Sequence, residues 1–464
     1  NQGVKMKNAG LKLSVVALSC SFALSANAAS TLFTNVDVFN GTENKLYEDH
    51  HVLVEDNLIK QISASPIEAG EAEVIDGTGK TLMPGLIEGH GHLLMNGGNL
   101  SDDENNRTIE ELAARATVNA NAAFQSGFTT WRDAGGLNTG LRKTIDSGML
   151  PGPRLYTSGA FIGPTGSHAD FSNLTTANQH FFGSSTNMAR NSVSFNADGI
   201  TEIKAAARQN FKQGNTQIKI MSSGGVASSF DPWQLNAMSA EEIEAAVEIA
   251  DAYGSYVMSH AYSKKAIMRN LDAGVKTIEH GFMFDGDIAD KMEDKDAYIT
   301  TNMTAFSPYL TQIEAINSNP ASKRKAESAT KAFKDYISNV NKYQPKWGFH
   351  TDCVGDVVSC IKQTDHTIYL AGKELGNFFT LKGMTSVNGE IVKLSGVMDP
   401  YPEGKLGVIE AGAYADIIIV EGNPLEDLTV IGANEKWFDA EPRSPEIDTI
   451  KVIMKDGKVY KNTL

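Results

Sequence analysis

Five side chains of this sequence could bind divalent metal ions together, because their residue types are metal ligands and each lies at the end of a short apolar run. They are His90, His92, His260, His280 and Asp352. His90 and His92 are two residues apart, a spacing that on a strand points both rings to the same side. Imidazoles and a carboxylate that converge make a site for zinc or a similar ion. We expect the small glycines beside the pair, Gly89 and Gly91, to leave room for a ligand.

Lys219 is a charge inside an apolar strand, Gln217-Ile218-Lys219-Ile220-Met221. Taken alone, such a lysine usually extends its amine toward solvent or pairs with an acid. A single histidine at a strand end is likewise more often a hydrogen-bonded polar residue than a ligand. The set as a whole changes that balance, because four of the ten histidines fall at the ends of three predicted strands. The sequence therefore predicts a metal site.

Strands and helices alternate through the middle of the chain, residues 84–395, and these elements must position the candidate ligands. We predict eight strands, at residues 85–92, 128–133, 154–158, 217–221, 256–260, 277–280, 299–304 and 348–352. A helix is predicted after Ser239, which forms a capping box with Glu242. Eight such units predict an α/β fold, a TIM (β/α)8 barrel with its active site at the carboxyl ends of the strands. An open doubly wound sheet is the alternative, but no glycine-rich dinucleotide fingerprint follows the first strand.

Two connections are unusually long, at residues 159–199 after the third strand and 305–346 after the seventh. In a barrel, both would rise from the face where substrates bind. Their aromatic side chains either contact an apolar substrate or pack the loops themselves. These residues are Phe161, Phe171, Phe181, Phe182, Phe306 and Tyr309.

Both ends of the chain have short strand patterns with turn signals, at residues 29–83 and 396–464. Asn40-Gly41 and Asp76-Gly77 are such turns in the first part, and Asp456-Gly457 is one in the second. We predict that the two parts form one small β-sandwich domain beside the barrel.

Residues 1–28 have the pattern of a signal peptide. Three lysines and no acid precede an apolar run, and Ala26-Asn27-Ala28 is a small-residue cleavage site. The sequence predicts a protein that is exported to the periplasm or secreted after cleavage near Ala28. An uncleaved anchor, or a lipoprotein modified at Cys20, is the alternative.

The chain is acidic, with 41 Lys and Arg against 56 Asp and Glu and a net charge of −15. This balance argues against a nucleic-acid partner. No stretch after the signal segment approaches the roughly 18 consecutive apolar residues of a membrane span. Cys353 and Cys360 either pair across a short loop or stay as two buried thiols.

Several motifs together resemble the amidohydrolase superfamily, in the branch of imidazolonepropionase-related enzymes. That branch includes metal-dependent Xaa-Pro dipeptidases, Xaa-Arg/Lys carboxypeptidases and ochratoxin-type amidases. The runs that carry the resemblance include Leu82-Met83-Pro84-Gly85-Leu86-Ile87-Glu88-Gly89-His90-Gly91-His92, Thr130-Trp131-Arg132-Asp133, Ile218-Lys219-Ile220-Met221-Ser222-Ser223-Gly224-Gly225, Ser259-His260-Ala261-Tyr262 and Thr277-Ile278-Glu279-His280-Gly281.

The resemblance implies two divalent metal ions, most simply Zn²⁺. One ion would be held by His90, His92 and Asp352, and the other by His260 and His280. Lys219 would carry a carbamate derived from CO₂ that bridges both ions. A hydroxide between the ions would attack the amide, with its pKa lowered by them.

The same resemblance implies roles for residues around the metals. Asp352 would move the proton from the nucleophile to the leaving amine, and Tyr262 would stabilise the developing oxyanion or else merely pack the barrel rim. His168, in Gly166-Ser167-His168-Ala169-Asp170, would lie near the substrate. His350 stands where the family usually has glycine, and would line the pocket or point into the barrel wall.

The predicted function is therefore a binuclear metal-dependent hydrolase that cleaves the amide or peptide bond of a dipeptide or N-acyl amino acid. One alternative is a deaminase or cyclic imidazolone hydrolase on the same barrel, and these commonly use one metal and lack the bridging lysine. Another is an exported binding protein that has lost catalysis. The partner is a small-molecule or dipeptide substrate, and the resemblance implies a homo-oligomer, with an octamer as one form.

Overall fold

The computed structural model describes residues 30–95, 100–228, 230–312, 314–437 and 439–464. The predicted signal peptide, residues 1–28, lies outside the described residues. Among the described helices, none combines the length and apolar character that a membrane crossing requires.

The strands, in chain order, are β1 (Ser30–Val38), β2 (Tyr47–Glu55), β3 (Leu58–Ser63), β4 (Glu73–Asp76), β5 (Thr81–Pro84), β6 (Leu86–Gly91), β7 (Phe128–Asp133), β8 (Arg154–Tyr156), β9 (Phe161–Gly163), β10 (Ser194–Asn196), β11 (Ile218–Met221), β12 (Val257–Ala261), β13 (Thr277–His280), β14 (Tyr298–Thr301), β15 (Trp347–Phe349), β16 (Ile417–Val420), β17 (Ile450–Lys455) and β18 (Lys458–Asn462). The α-helices are α1 (Leu100–Asn105), α2 (Ile109–Gln125), α3 (Gly140–Asp146), α4 (Gln179–Phe182), α5 (Asn187–Arg190), α6 (Ile200–Lys212), α7 (Ala240–Ala252), α8 (Lys264–Asp272), α9 (Gly286–Lys295), α10 (Met303–Phe306), α11 (Glu314–Asn317), α12 (Pro320–Ala329), α13 (Phe333–Tyr343), α14 (Val357–Leu375), α15 (Asn377–Lys382) and α16 (Asn388–Lys393).

Both ends of the chain contribute strands to one sheet. Its strand order is β18-β17-β16-β5-β1-β2-β3, with β4 beside β1. The join between the two ends is the antiparallel pair of β5 and β16, in which Met83 lies opposite Ile418. Apolar side chains such as Phe33, Leu82 and Ile419 form a buried core of this sheet. Strands from both ends of the chain thus belong to one hydrogen-bonded sheet, as the β-rich ends of the sequence indicate.

Parallel strands fill the middle of the chain. One sheet has the order β6-β7-β8 and the other the order β10-β9-β11-β12-β13-β14-β15. Backbone bonds link the two sheets on both sides: Thr216 N donates to Thr157 O at 2.7 Å, and Asp352 N donates to His90 O at 2.9 Å. All eight strands predicted from the sequence are present, as β6, β7, β8, β11, β12, β13, β14 and β15. Their carboxyl ends meet at one edge, where the candidate ligands lie.

The long connections are more regular than the sequence suggests. Residues 159–199 include the short strands β9 and β10, which extend the parallel sheet. The seventh predicted strand ends at Thr301 instead of residue 304, because the Asn302 side chain accepts a hydrogen bond from Ala305 N at 2.8 Å and starts α10. At α7, the predicted capping box between Ser239 and Glu242 is confirmed.

Cys353 and Cys360 form a disulfide, so the pairing alternative is the one found. The bond closes the segment between the end of strand β15 and the first turn of α14, directly after Asp352. Cys353 O also accepts a hydrogen bond from His92 N at 3.1 Å. This segment therefore holds the first histidine pair and Asp352 together.

Candidate metal centre

The structure brings all the predicted ligands together at the carboxyl ends of the strands. The His280 ring lies 5.0 Å from the His90 ring and 4.6 Å from the His260 ring, measured between centroids. Lys219 reaches the same place from β11, with its Nζ 3.3 Å from His90 Nε2. Strand-end residues distant in the sequence thus surround one small volume.

His90, His92 and Asp352 form a cluster whose hydrogen bonds fix the ring tautomers. His90 Nδ1 lies 2.8 Å from Glu279 Oε2, and His92 Nδ1 lies 3.2 Å from Gly135 O. Both partners only accept hydrogen bonds, so each Nδ1 carries the proton and each Nε2 carries a lone pair. Those Nε2 atoms face Asp352 Oδ1 at 3.3 and 3.2 Å. These three acceptor atoms are close enough together to bind one cation between them.

His260 and His280 supply the second half of the cluster. His260 Nε2 donates to Gly224 O at 3.1 Å, which leaves the lone pair on Nδ1. Burial lowers the pKa of both rings well below the usual value, so they are neutral imidazoles. His280 Nδ1 has no hydrogen-bond partner among the described residues. Neutral imidazoles with free lone pairs are what a divalent ion requires.

Two of the candidate ligands have a left-handed backbone. The φ angle is 71° at His280 and 53° at Asp352, a region that non-glycine residues seldom adopt. Such conformations persist where the surrounding structure enforces them, and they cluster at functional sites. Both residues lie at or just after the end of a strand, and the left-handed backbone sets the direction of the side chain there.

Lys219 is fully buried, and burial lowers the pKa of its amine to about 8. The nearby carboxylates of Glu279 and Asp352 act in the opposite direction. A lysine with this pKa is partly neutral near pH 8, and a neutral amine is a nucleophile.

A buried ion pair that the sequence reasoning missed supports His90. Arg132 Nη2 binds Glu279 Oε2 at 2.8 Å, and neither side chain is exposed. Thr277 and Thr300 each donate a hydroxyl to the Glu279 carboxylate at 2.6 Å. Burial raises the pKa of Glu279, but the charge of Arg132 outweighs it and holds the pKa well below its usual value. Arg132 and Glu279 show the signal that singled out Lys219, a charge inside an apolar strand.

The glycines beside the histidine pair have a different role from the one expected. A Cβ atom at Gly91 would lie 2.1 Å from the Trp131 ring. One at Gly89 would lie 2.5 Å from Phe349 O. The expectation that they leave room for a ligand is therefore wrong, because they allow close packing against neighbouring strands.

Tyr262 and His168 lie beside the second pair of histidines. The Tyr262 ring is 4.5 Å from the His260 ring, and burial raises the pKa of its phenol well above the usual value, so it stays a donor. His168 stacks on the His260 ring with 4.2 Å between the centroids, and its side chain is 17% exposed. Its Nδ1 lies 3.6 Å from Asp231 Oδ2. A Cβ atom at Gly225 would lie 2.1 Å from His168, so this stacking requires glycine there.

His350 is fully buried, unlike a residue at an exposed rim. Its Nδ1 lies 2.8 Å from Thr300 Oγ1, and its ring centroid lies 4.5 Å from that of His90. The structure therefore places this predicted substrate contact among the imidazoles of the candidate metal centre.

Four of the six aromatic residues in the long connections fall into two groups. Phe161 lies in β9, and Phe306 stacks on Phe282 at 3.8 Å, so both pack in the core. Phe181 and Phe182 are 80% and 72% exposed on α4.

Among the candidate ligands, Asp352 is the most exposed, with 26% of its side chain accessible. Solvent therefore reaches the cluster on the Asp352 side.

Residues 81–460 match the model of the amidohydrolase family. This match spans most of the chain, so the protein belongs to the amidohydrolase family and is a hydrolase of amide or peptide bonds. The fold is a TIM barrel with an additional domain.

Individual relatives agree with this assignment. The chain is 29% identical over 395 residues to ochratoxinase from Aspergillus niger, covering 82% of this chain and 75% of that protein. The structure of a prolidase complexed with N-methylphosphonate-L-proline is 30% identical, with a TM-score of 0.82 over 94% of this chain and 100% of that one. A Xaa-Pro dipeptidase with bound methionine is 28% identical, with a TM-score of 0.77 and the same coverage.

Proposed function

We propose that this protein is a binuclear metal-dependent hydrolase that cleaves the amide or peptide bond of a dipeptide or N-acyl amino acid. The observation that carries the proposal is the pair of Nε2 lone pairs on His90 and His92, which both face the Asp352 carboxylate. With His260 and His280 beside them, the donor set suits two zinc ions. When bound, the ions would activate a water molecule and polarise the scissile carbonyl.

The protein residues supply proton transfer and charge stabilisation. Asp352, the most exposed of the candidate ligands, takes a proton from the attacking water and gives it to the leaving amine nitrogen. Tyr262 stays protonated and donates a hydrogen bond to the oxygen on which negative charge develops. His168, whose side chain is 17% exposed beside His260, contacts the substrate. The prolidase and ochratoxinase relatives support a substrate with an amide bond to an amino acid.

Lys219 is proposed to be carboxylated. Its neutral amine attacks CO₂, a C–N bond forms and one proton leaves, so the product is an anionic carbamate. The buried position supports this modification, because an ammonium group beside two divalent ions would repel them. This lysine also argues against the deaminase alternative, whose members commonly lack it.

The test is the metal content and activity of Lys219→Ala. We expect the unaltered protein to hold two zinc ions and to hydrolyse members of a dipeptide and N-acyl amino-acid library. The variant should lose metal and activity, and short carboxylic acids such as acetate should partly restore both. Lys455→Ala is the control, because it removes another buried lysine, whose Nζ donates to Gly152 O at 2.8 Å. This variant should keep both its metal and its activity. Full activity of Lys219→Ala with one metal would support the deaminase alternative.

Four further features belong to the same proposal. The backbone bonds on both sides of the parallel sheets support a closed barrel, and the shared terminal sheet supports a sandwich-like domain.

The signal pattern supports export, and N-terminal sequencing should show that the mature protein begins after Ala28. The resemblance supports a homo-oligomer, which light scattering would measure.

A further inference from the structure

His350 presents an unexplained lone pair at the candidate metal centre. Thr300 Oγ1 donates its one hydrogen to Glu279 Oε2 at 2.6 Å, since a carboxylate only accepts. His350 Nδ1, 2.8 Å from the same hydroxyl oxygen, must therefore be the donor in that contact. The proton of His350 is then on Nδ1, and Nε2 carries the lone pair.

That lone pair is buried and has no hydrogen-bond partner in the described part of the chain. An unpaired buried acceptor costs about 1–3 kcal/mol, and a ligand bound to Nε2 would remove that cost. The His350 ring lies 4.5 Å from the His90 ring and 5.2 Å from the His280 ring. Its neighbours are thus one candidate ligand from each half of the cluster.

We propose that His350 Nε2 is an additional nitrogen ligand of the metal centre, which would make five imidazoles available to the two ions. The inference rests on the proposed function, since it requires that metal binds here. The Thr300 hydroxyl, which itself donates to Glu279, orients the His350 ring through Nδ1. Glu279 orients His90 in the same way, by a direct bond to Nδ1.

The experiment compares two matched variants, His350→Phe and His366→Phe. His366 is also fully buried, its Nδ1 lies 3.0 Å from Thr304 Oγ1, and its Nε2 has no partner among the described residues. It lies outside the cluster, in α14. Metal affinity is measured by competition with a chelator, and the ligand set by the absorption spectrum of the cobalt-substituted protein.

We expect His350→Phe to bind at least one of the two ions about tenfold or more weakly. Its cobalt spectrum should show fewer nitrogen donors, and His366→Phe should match the unaltered protein in both measurements. Unchanged affinity and spectrum in His350→Phe would overturn the inference while leaving the proposed function intact. An unaltered protein that binds no metal would instead overturn the proposed function.

Zinc-edge X-ray absorption on the unaltered protein provides a measurement that needs no variant. The imidazole scattering should correspond to five rings shared between two ions. A signal that corresponds to four rings contradicts the role of His350, even where His350→Phe fails to fold.

Discussion

His90 and His92 are each oriented by the partner of the second ring nitrogen. Glu279 does this for His90, and Gly135 O does it for His92. Asp133 in turn accepts from Gly135 N at 3.1 Å, so the loop that holds His92 is fixed as well. These outer contacts determine which nitrogen carries the lone pair, and therefore which atom can bind a metal.

Replacement of Glu279 tests this support. Glu279→Gln leaves the buried Arg132 charge without its partner, so the free energy of unfolding should fall by about 3–5 kcal/mol. Metal affinity should fall by about 10–100-fold. Urea titration and chelator competition measure the two effects. The double variant Arg132→Met/Glu279→Gln should recover part of the stability but not the metal affinity, and recovery of both would show that Glu279 acts on stability alone.

His366 should make stability depend on pH. Burial lowers its pKa to about 4, below the unfolded value of about 6.5. Between these values the unfolded chain binds more protons, so stabilisation present above pH 6.5 is lost as the pH falls toward 4. The difference in unfolding free energy between the unaltered protein and His366→Phe should therefore decrease over this range. Urea titrations at several pH values measure this difference. If it does not change with pH, the conclusion that His366 is neutral in the folded protein is wrong.

At the scale of elements, the sequence was most informative where an apolar run ended in a polar residue. That pattern located eight parallel strands and five of the six candidate ligands, whereas Lys219 was recognised as a charge inside an apolar strand. Strands β9 and β10 were not predicted because each has only three residues and lies in a long connection rich in glycine, serine, asparagine and threonine, a composition typical of loops. The contact between His90 and Glu279 joins residues 189 positions apart, so no local pattern contains it. The role of Gly91 depends on Trp131, a neighbour on the next strand, and was misread for the same reason.

The disulfide after β15 should support both stability and activity. Reduction by a dithiol opens the loop between Cys353 and Cys360, and loop entropy alone predicts a loss of about 2–3 kcal/mol. Because Cys353 follows Asp352 directly, kcat/KM should fall as well. Thermal unfolding and steady-state kinetics check this. In Cys353→Ser/Cys360→Ser, the dithiol should have no further effect, and an equal effect there would mean that the reductant acts elsewhere.

At the scale of the whole molecule, Arg154 joins the parallel strands to the terminal sheet. From β8, its Nε binds Asp416 Oδ2 at 2.7 Å and its Nη2 binds Asp456 Oδ1 at 2.6 Å. The guanidinium also lies 4.0 Å from the centroid of the Tyr414 ring. Arg154 and Asp416 are both buried, and their ion pair couples the stability of the two sheets.

Arg154→Met should therefore destabilise the protein by about 3–5 kcal/mol, because it leaves buried Asp416 unpaired. The surface pair of Lys405 and Glu410 provides the control, since both side chains are exposed, at 72% and 47%. Lys405→Met should cost under about 1 kcal/mol. Denaturant unfolding of both variants measures the difference, and similar losses in the two would argue against a coupling role for Arg154.

The pairing of β5 with β16 has a consequence for synthesis on the ribosome. The strands from β1 to β5 emerge first, and the edge of β5 has no partner until roughly 330 further residues have been made. At 5–20 residues per second, that interval is about 17–66 seconds. During this time an apolar strand edge is open to wrong pairing. Rapid folding of the parallel strands would shorten its exposure, so translation speed through the middle of the gene should affect the yield of native protein.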